Sequence, residues 1–230
     1  MIDVCFTYSE LQDTCGKLSV IIDTLRATTT IITALNNGAR YIIPVETVNE
    51  ASKQKNVYKD ALLGGERKGL KIDGFDLGNS PLEYSKDIVS GSGIIFTTTN
   101  GTLAIKSALG SKIILAALIN SKAVSDYIKS AGNEITIVCS GTKGRFTMED
   151  TYTAGCIISK TARYDLTDSA FAAKCLYESM NKDPEFLYKT CTHLKYLINK
   201  GFKEDIMYSL KEDTTETIPF YINGKIIRDI

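Results

Sequence analysis

Hydrophobic and polar positions follow two periods along the first 140 residues. Short apolar, β-branched runs at Leu18–Ile22, 41–45, Gly93–Thr97, 112–118 and 134–139 have the length of buried strands, and Leu62-Leu63-Gly64-Gly65 reads as a further brief one. Between them, residues 28–37, 48–62, 102–108 and 121–130 carry helical spacing. In the first, Ile31, Ile32 and Leu35 share a face, and Gly38 ends the helix. Strands alternating with helices across short turns predict a mostly parallel sheet covered on both faces.

After Phe146 the pattern changes. Residues 147–164, 167–180, 185–199 and 202–210 all read as helices, and 218–227 alternate around Asn223-Gly224, a hairpin signal. There is no Ser/Pro-rich linker and no internal repeat. The expectation is a single domain over residues 1–230. Its fold class would be α/β, a three-layer α/β/α arrangement with a mixed, mostly parallel sheet and a helical C-terminal third.

Composition narrows the partners. Apolar residues make up 43% and charged residues 23%, as in an ordinary folded domain. The 27 basic and 27 acidic side chains cancel, which argues against nucleic acid or a membrane surface. No apolar run is long enough to span a bilayer, and residues 1–15 are acidic without a basic leader, so a cytoplasmic location is expected. Six cysteines without a CxxC pair read as free thiols in a reducing compartment. The lone histidine, His193, excludes a His-rich zinc site and reads as a surface or core residue of its helix. Any metal would be hard and oxygen-bound.

Ligands of open α/β sheets sit beyond the carboxyl ends of the strands. There the sequence places Asp23-Thr24-Leu25-Arg26-Ala27-Thr28-Thr29-Thr30, Gly64-Gly65-Glu66-Arg67-Lys68, Thr97-Thr98-Thr99-Asn100-Gly101-Thr102 and Cys139-Ser140-Gly141-Thr142-Lys143-Gly144-Arg145. Hydroxyls, helix-start amides and guanidinium forks bind anions, and carboxylates among them suggest a divalent ion bridging to phosphate. Plainer readings compete. Asp23 and Thr28 to Thr30 could cap a helix, and Thr147-x-x-Asp150 fits a capping box. Cys139 and Arg145 match the C-x5-R spacing of cysteine phosphatases, although Val138 and Phe146 replace the His and Ser/Thr expected beside them. Asp23-Thr24-Leu25 begins a haloacid-dehalogenase pattern but has Leu25 where a second Asp belongs. A non-catalytic binder of an anionic metabolite is also open.

In order along residues 18–160, the chain resembles the 2-phosphosulfolactate phosphatases. The resemblance rests on Val20-Ile21-Ile22-Asp23-Thr24-Leu25-Arg26-Ala27-Thr28-Thr29-Thr30, Gly65-Glu66-Arg67, Gly74-Phe75-Asp76-Leu77-Gly78-Asn79-Ser80-Pro81 and Thr98-Thr99-Asn100-Gly101-Thr102. It continues through Leu118-Ile119-Asn120, Cys139-Ser140-Gly141-Thr142, Glu149-Asp150 and Ala154-Gly155. Lys68 stands where the family often has glycine, and the loop around Lys143 looks variable.

The resemblance implies an Mg²⁺-dependent phosphatase that converts (2R)-2-phospho-3-sulfolactate to 3-sulfolactate and phosphate in coenzyme M biosynthesis. It implies Asp23, Arg26, Glu66 and Asp150 as catalytic residues and Asp23, Glu66, Glu149 and Asp150 as metal carboxylates. Arg26, Arg67 and Arg145 would hold phosphate and sulfonate. Thr28, Asp76, Asn79, Ser80, Thr99, Asn100, Thr142 and Lys143 would complete the substrate site. The partner is then a small phosphorylated and sulfonated anion, and a homodimer is compatible with the chain.

Overall fold

In the Leu18–Ile22 strand, Ile21 packs into one hydrophobic cluster while Leu18, Val20 and Ile22 pack into another, so both faces of the strand are buried. That two-sided burial is what a continuous apolar run requires of a strand between helical layers. The computed structural model describes residues 1–12, 17–131, 134–161, 164–180 and 184–228. Cys15, one of the expected thiols, and positions 162–163 of the helix expected over 147–164 lie outside the described residues.

The elements run β1 Ile2–Cys5, β2 Leu18–Ile22, α1 Ala27–Asn36, β3 Tyr41–Pro44, α2 Val48–Val57, β4 Leu62–Arg67, β5 Leu70–Lys71, α3 Lys86–Val89, β6 Gly93–Thr97, α4 Gly101–Ser107, β7 Lys112–Ala116, α5 Ser121–Ala131 and β8 Ile135–Cys139. Then come α6 Met148–Lys160, α7 Asp168–Ser179, α8 Glu185–Thr190, α9 Thr192–Asn199, α10 Lys203–Ser209, β9 Pro219–Ile222 and β10 Lys225–Arg228. The α/β expectation holds. The periodicity missed β1, whose four residues pair in parallel with β8. It also ran the helix over 185–199 through Cys191, where the chain turns extended (φ −73°, ψ 122°) and separates α8 from α9.

One ten-stranded sheet has the order β1-β8-β2-β7-β9-β10-β3-β6-β4-β5. The C-terminal hairpin, closing on Asn223-Gly224 as predicted, is not an appendage. It sits in the middle, antiparallel to β7 on one side and to β3 on the other. The two parallel blocks, β1-β8-β2-β7 and β3-β6-β4, therefore run in opposite senses along the hydrogen-bonded order. Their carboxyl ends still meet. Five strand steps separate β2 from β6, and right-handed twist of roughly 20–25° per step accumulates to roughly 100–125°. That rotation undoes most of the reversal and coils the sheet around α1 and α4. Ile31 and Leu35 of α1 and Ala104 and Ile105 of α4 share one cluster with Ile21, Ile42, Phe96 and Leu115 from strands of both blocks. The outer face is covered by α5, α6 and α7 over one block and by α2 over the other. The last three helices pack on Tyr152 and Tyr177 of α6 and α7. None of the described helices is long and apolar enough to cross a membrane.

Candidate active site

β2 delivers Asp23 into the interior, where the start of α1 locks its backbone. The Thr28 N–H donates to the Asp23 carbonyl at 3.0 Å, and the Thr28 hydroxyl donates to the same oxygen at 2.9 Å while accepting from the Asp23 N–H at 3.1 Å. Asp23 Oδ1 accepts from the Ala27 N–H at 3.2 Å, which is the capping role a strand-end Asp can play. Oδ2 accepts no hydrogen bond among the described residues. It faces the start of α4, where a Cβ added to Gly101 would lie 2.7 Å away.

β4 supplies Glu66. Gly65 before it has φ +136°, and a Cβ there would lie 2.0 Å from the Thr97 carbonyl, so only glycine lets β4 lie against β6 at this point. Glu66 Oε1 accepts from the Thr99 N–H and Oε2 from the Gly69 N–H, both at 2.7 Å. α6 supplies Glu149 and Asp150 from its first turn, where the helix dipole favours negative charge. Asp150 Oδ1 accepts from the Thr24 N–H at 2.9 Å. Its Oδ2 accepts from Thr147 Oγ1 at 2.8 Å and from Ser140 Oγ and the Gly141 N–H at 3.1 Å each. The expected capping box does not form, since the Thr147 hydroxyl makes no bond to the helix start and donates to Asp150 instead; Asp150 ties the loop after β2 to the loop after β8. Glu149 is held from the helix break and the first turn after it, Cys191 Sγ donating to Oε2 at 2.9 Å and His193 Nδ1 of α9 pairing with Oε1 at 2.5 Å.

These groups feel one another. Burial pushes the Asp23 carboxyl up to about 6, with Glu66 and Glu149 adding to the rise and the Ala27 N–H and His193 opposing it. Burial, reinforced by Glu149 and Asp23, pushes Asp150 up to about 8. Burial also works against charge on Glu149 and on His193. Their mutual hydrogen bond and attraction win, so Glu149 is held below the usual carboxylate range and His193 above the usual imidazole value. The pair is an ion pair at the edge of the acidic cluster.

Arg26 lies three residues beyond Asp23. Its Nη1 donates to Asp205 Oδ2 of α10 at 2.6 Å and its Nη2 to the Gly69 carbonyl at 2.7 Å. The Phe202 ring covers the guanidinium at 3.8 Å. Ser80 Oγ donates to the other Asp205 oxygen at 2.7 Å. The fork expected to hold phosphate is thus 3% exposed and already engaged by the protein. Asn79 is buried beside this group, its carbonyl accepting from Thr30 Oγ1 and its Oδ1 unbonded among the described residues.

Other expected site residues sit differently. Arg67 spends its guanidinium on the Glu66 and Glu46 carbonyls and Thr97 Oγ1. Asp76 is exposed and accepts from the Leu63 N–H, a bond at the flank of β4. Thr99 is exposed and Asn100 half-buried at the start of α4. Lys143 and Gly144 form the tip of an exposed turn closed by Thr142 and Arg145, the Thr142 N–H donating to the Arg145 carbonyl at 2.9 Å. Cys139 is fully buried in the outer-face cluster, and burial pushes its thiol well above the ordinary value. Burial of the Cys139 thiol thus disfavours the thiolate that a cysteine nucleophile requires. Sequence reasoning missed His193, Cys191 and Asp205. That His193 is the only histidine in the chain was the one signal available; nothing local marks Asp205.

Residues 5–224 match the family model described as 2-phosphosulpholactate phosphatase. The chain belongs to the 2-phosphosulpholactate phosphatase family. A protein of Clostridium acetobutylicum named probable 2-phosphosulfolactate phosphatase is 44% identical over 218 residues, covering 92% of each chain. Proteins of the same name from Thermotoga maritima and Clostridium tetani are each 46% identical, covering 92% and 91% of both chains respectively. The family match extends well past residue 160 and spans the C-terminal helices, His193 and Asp205 included.

Proposed function

We propose that this chain is an Mg²⁺-dependent phosphatase that hydrolyses 2-phospho-3-sulfolactate to 3-sulfolactate and phosphate, within coenzyme M biosynthesis. The relatives' names support the substrate. The observation that carries the metal is a charge imbalance. Among the described residues the buried charged groups are the carboxylates of Asp23, Glu66, Glu149, Asp150 and Asp205 against the single guanidinium of Arg26, with His193 at the edge. Uncompensated buried charge is costly, and the raised pKa values of Asp23 and Asp150 express that cost. A cation relieves it.

Among the described residues no three His, Cys, Asp or Glu side chains form a ready-made metal cage. Mg²⁺ rarely needs one, since one or two carboxylates usually hold it together with water and substrate phosphate. Asp23, with Oδ2 unbonded, fits that description best; Glu66 influences Asp23 directly but, with both oxygens already accepting from the Thr99 and Gly69 N–H groups, would keep only its second lone pairs for a metal. Glu149 and Asp150 fit less well than expected, because both oxygens of each already accept from protein donors. Bound Mg²⁺ would neutralise charge developing on the phosphoryl oxygens. Asp150 holds two site loops in register, and the Glu149–His193 pair offsets one negative charge beside the reacting group. Thr99, Lys143 and Arg145, which are exposed, and Asn100, which is half-buried, are available to the carboxylate and sulfonate ends of the substrate. Water adds to phosphorus as the P–O ester bond breaks, and overall one proton of that water passes to the leaving alkoxide while the other stays with the phosphate. The free thiols of Cys5, Cys139, Cys156, Cys175 and Cys191 support placing the reaction in the reducing cytoplasm.

The test is phosphate release from 2-phospho-3-sulfolactate with Mg²⁺, with excess EDTA, and after Mg²⁺ is restored. Release that stops with chelator and resumes with metal is expected. Full turnover in excess EDTA would overturn the metal, and tight binding without turnover would make the chain a binding protein.

A further inference from the structure

The geometry points to Asp205 as a positioning residue for the reaction, acting from α10 through Arg26 on the β4–β5 turn that holds Glu66. It rests on the functional reading above for the activity it would affect, and on four contacts for the path. Asp205 Oδ2 holds Arg26 Nη1 at 2.6 Å, and Arg26 Nη2 donates to the Gly69 carbonyl at 2.7 Å. The N–H of that same Gly69 donates to Glu66 Oε2 at 2.7 Å, while the Thr99 N–H fixes Oε1. One residue of the β4–β5 turn is thus gripped by Arg26 on its carbonyl and grips Glu66 with its amide. Asp205 also takes the Ser80 hydroxyl on Oδ1, so its carboxylate sets the guanidinium from a fixed point. Phe202, three residues earlier in the chain, closes the guanidinium from water at 3.8 Å. The side chains of Arg26 and Asp205 are 2% and 6% exposed, which keeps water from replacing either partner.

A buried ion pair that only stabilises can be exchanged for apolar residues of similar size with little loss, whereas removing one partner leaves a stranded charge. That difference separates positioning from mere stability. Asp205→Asn preserves the shape and leaves Arg26 without its counter-charge. It should lower kcat by about 10²-fold, the scale of a misplacement near 1 Å, with KM changed only a few-fold. Amide exchange at Gly69 and Thr99, read by mass spectrometry or NMR on the whole chain, should quicken. Asp205→Glu should recover part of both losses. The doubly apolar variant, Arg26→Met with Asp205→Leu, should melt near wild type yet keep the low kcat and the fast exchange. Two outcomes would overturn the proposal: a folded Asp205→Asn protein with wild-type kcat, or a double variant whose activity and exchange both return to wild type. The exchange measurements need no substrate. If the wild type proves inactive on 2-phospho-3-sulfolactate, the functional reading fails while the path from Asp205 to Glu66 is still decided.

Discussion

At the residue scale, Asp23 carries both a capping bond and an unbonded oxygen, and one substitution separates the two. Asparagine at this position can still accept the Ala27 N–H but removes a charge that burial disfavours. Asp23→Asn should therefore melt no lower than wild type without metal, lose the rise in Tm that Mg²⁺ gives the wild type, and turn over at least about 10²-fold more slowly. Thermal melts with and without Mg²⁺ beside a phosphate-release assay check all three, and normal turnover with a lowered Tm would leave Asp23 as a cap alone. The pH dependence follows from the same cluster. Asp23 and Asp150 are raised from 3.8 to about 6 and about 8, so their contribution to stability is complete below about pH 4 and is lost as pH rises through those values. Glu149 is lowered, so its contribution is present above its ordinary value and is lost in acid. The metal-free protein should be most stable near roughly pH 4–4.5 and lose stability as pH rises toward about 6 and about 8, and added Mg²⁺ should hold Tm up on the alkaline side. Melting curves across pH 4 to 9 would show it. Cys139→Ala should keep turnover within a few-fold, since the thiol is buried and protonated.

At the scale of elements, the β4–β5 hairpin is the most exacting piece of local structure. Its two-residue turn places Lys68 at φ 54° and Gly69 at φ +81°, and a side chain in the left-handed region costs about 1 kcal/mol relative to glycine. Lys68→Gly should raise Tm by about 2–4 °C if the strain outweighs glycine's greater entropy loss, and the sign of that shift in a calorimeter decides which wins. Gly65→Ala offers no such balance. Its Cβ meets the Thr97 backbone carbonyl of β6, the strand that β4 pairs with, so the variant should be recovered unfolded or with β4 detached and activity gone. The break between α8 and α9 is equally purposeful. It sets Cys191 and His193 on the two oxygens of Glu149, which an unbroken helix over 185–199 would not do.

For the whole molecule, the placement of the C-terminal hairpin governs the architecture. β9 and β10 join two parallel blocks that otherwise share no strand pairing. Truncation after Thr217 should therefore abolish soluble, cooperatively folding protein, although chain ends usually tolerate trimming. A truncated chain with a wild-type melting transition would refute the central role of the hairpin. The coil that this bridge permits is also what lets Asp23, at the end of β2, and Glu66, in β4, act on one another across opposed blocks.

Much of this was legible in the chain alone. Period-2 and period-3.6 patterns mark most strands and helices because burial on one or two faces writes itself into neighbouring residues. Asn223-Gly224 marks its turn for the same local reason. The ordered motifs from Val20 to Gly155 point to the family, and Asp23 and Glu66 from the strand ends do come together with Glu149 and Asp150 from the first turn of α6. What the sequence could not reveal depends on partners far away along the chain. Arg26 and Arg67 look like free anion forks until Asp205 and the Glu46 and Glu66 carbonyls are seen to hold them. Thr28 looks like a ligand until its hydroxyl is found on the Asp23 backbone. His193 and Asp205 enter the site only because tertiary packing folds α9 and α10 back over the first 150 residues. The opposed blocks, reconciled by accumulated twist, follow from a hairpin whose insertion point no local pattern encodes, since pairing between distant strands is settled by the global burial of both sheet faces.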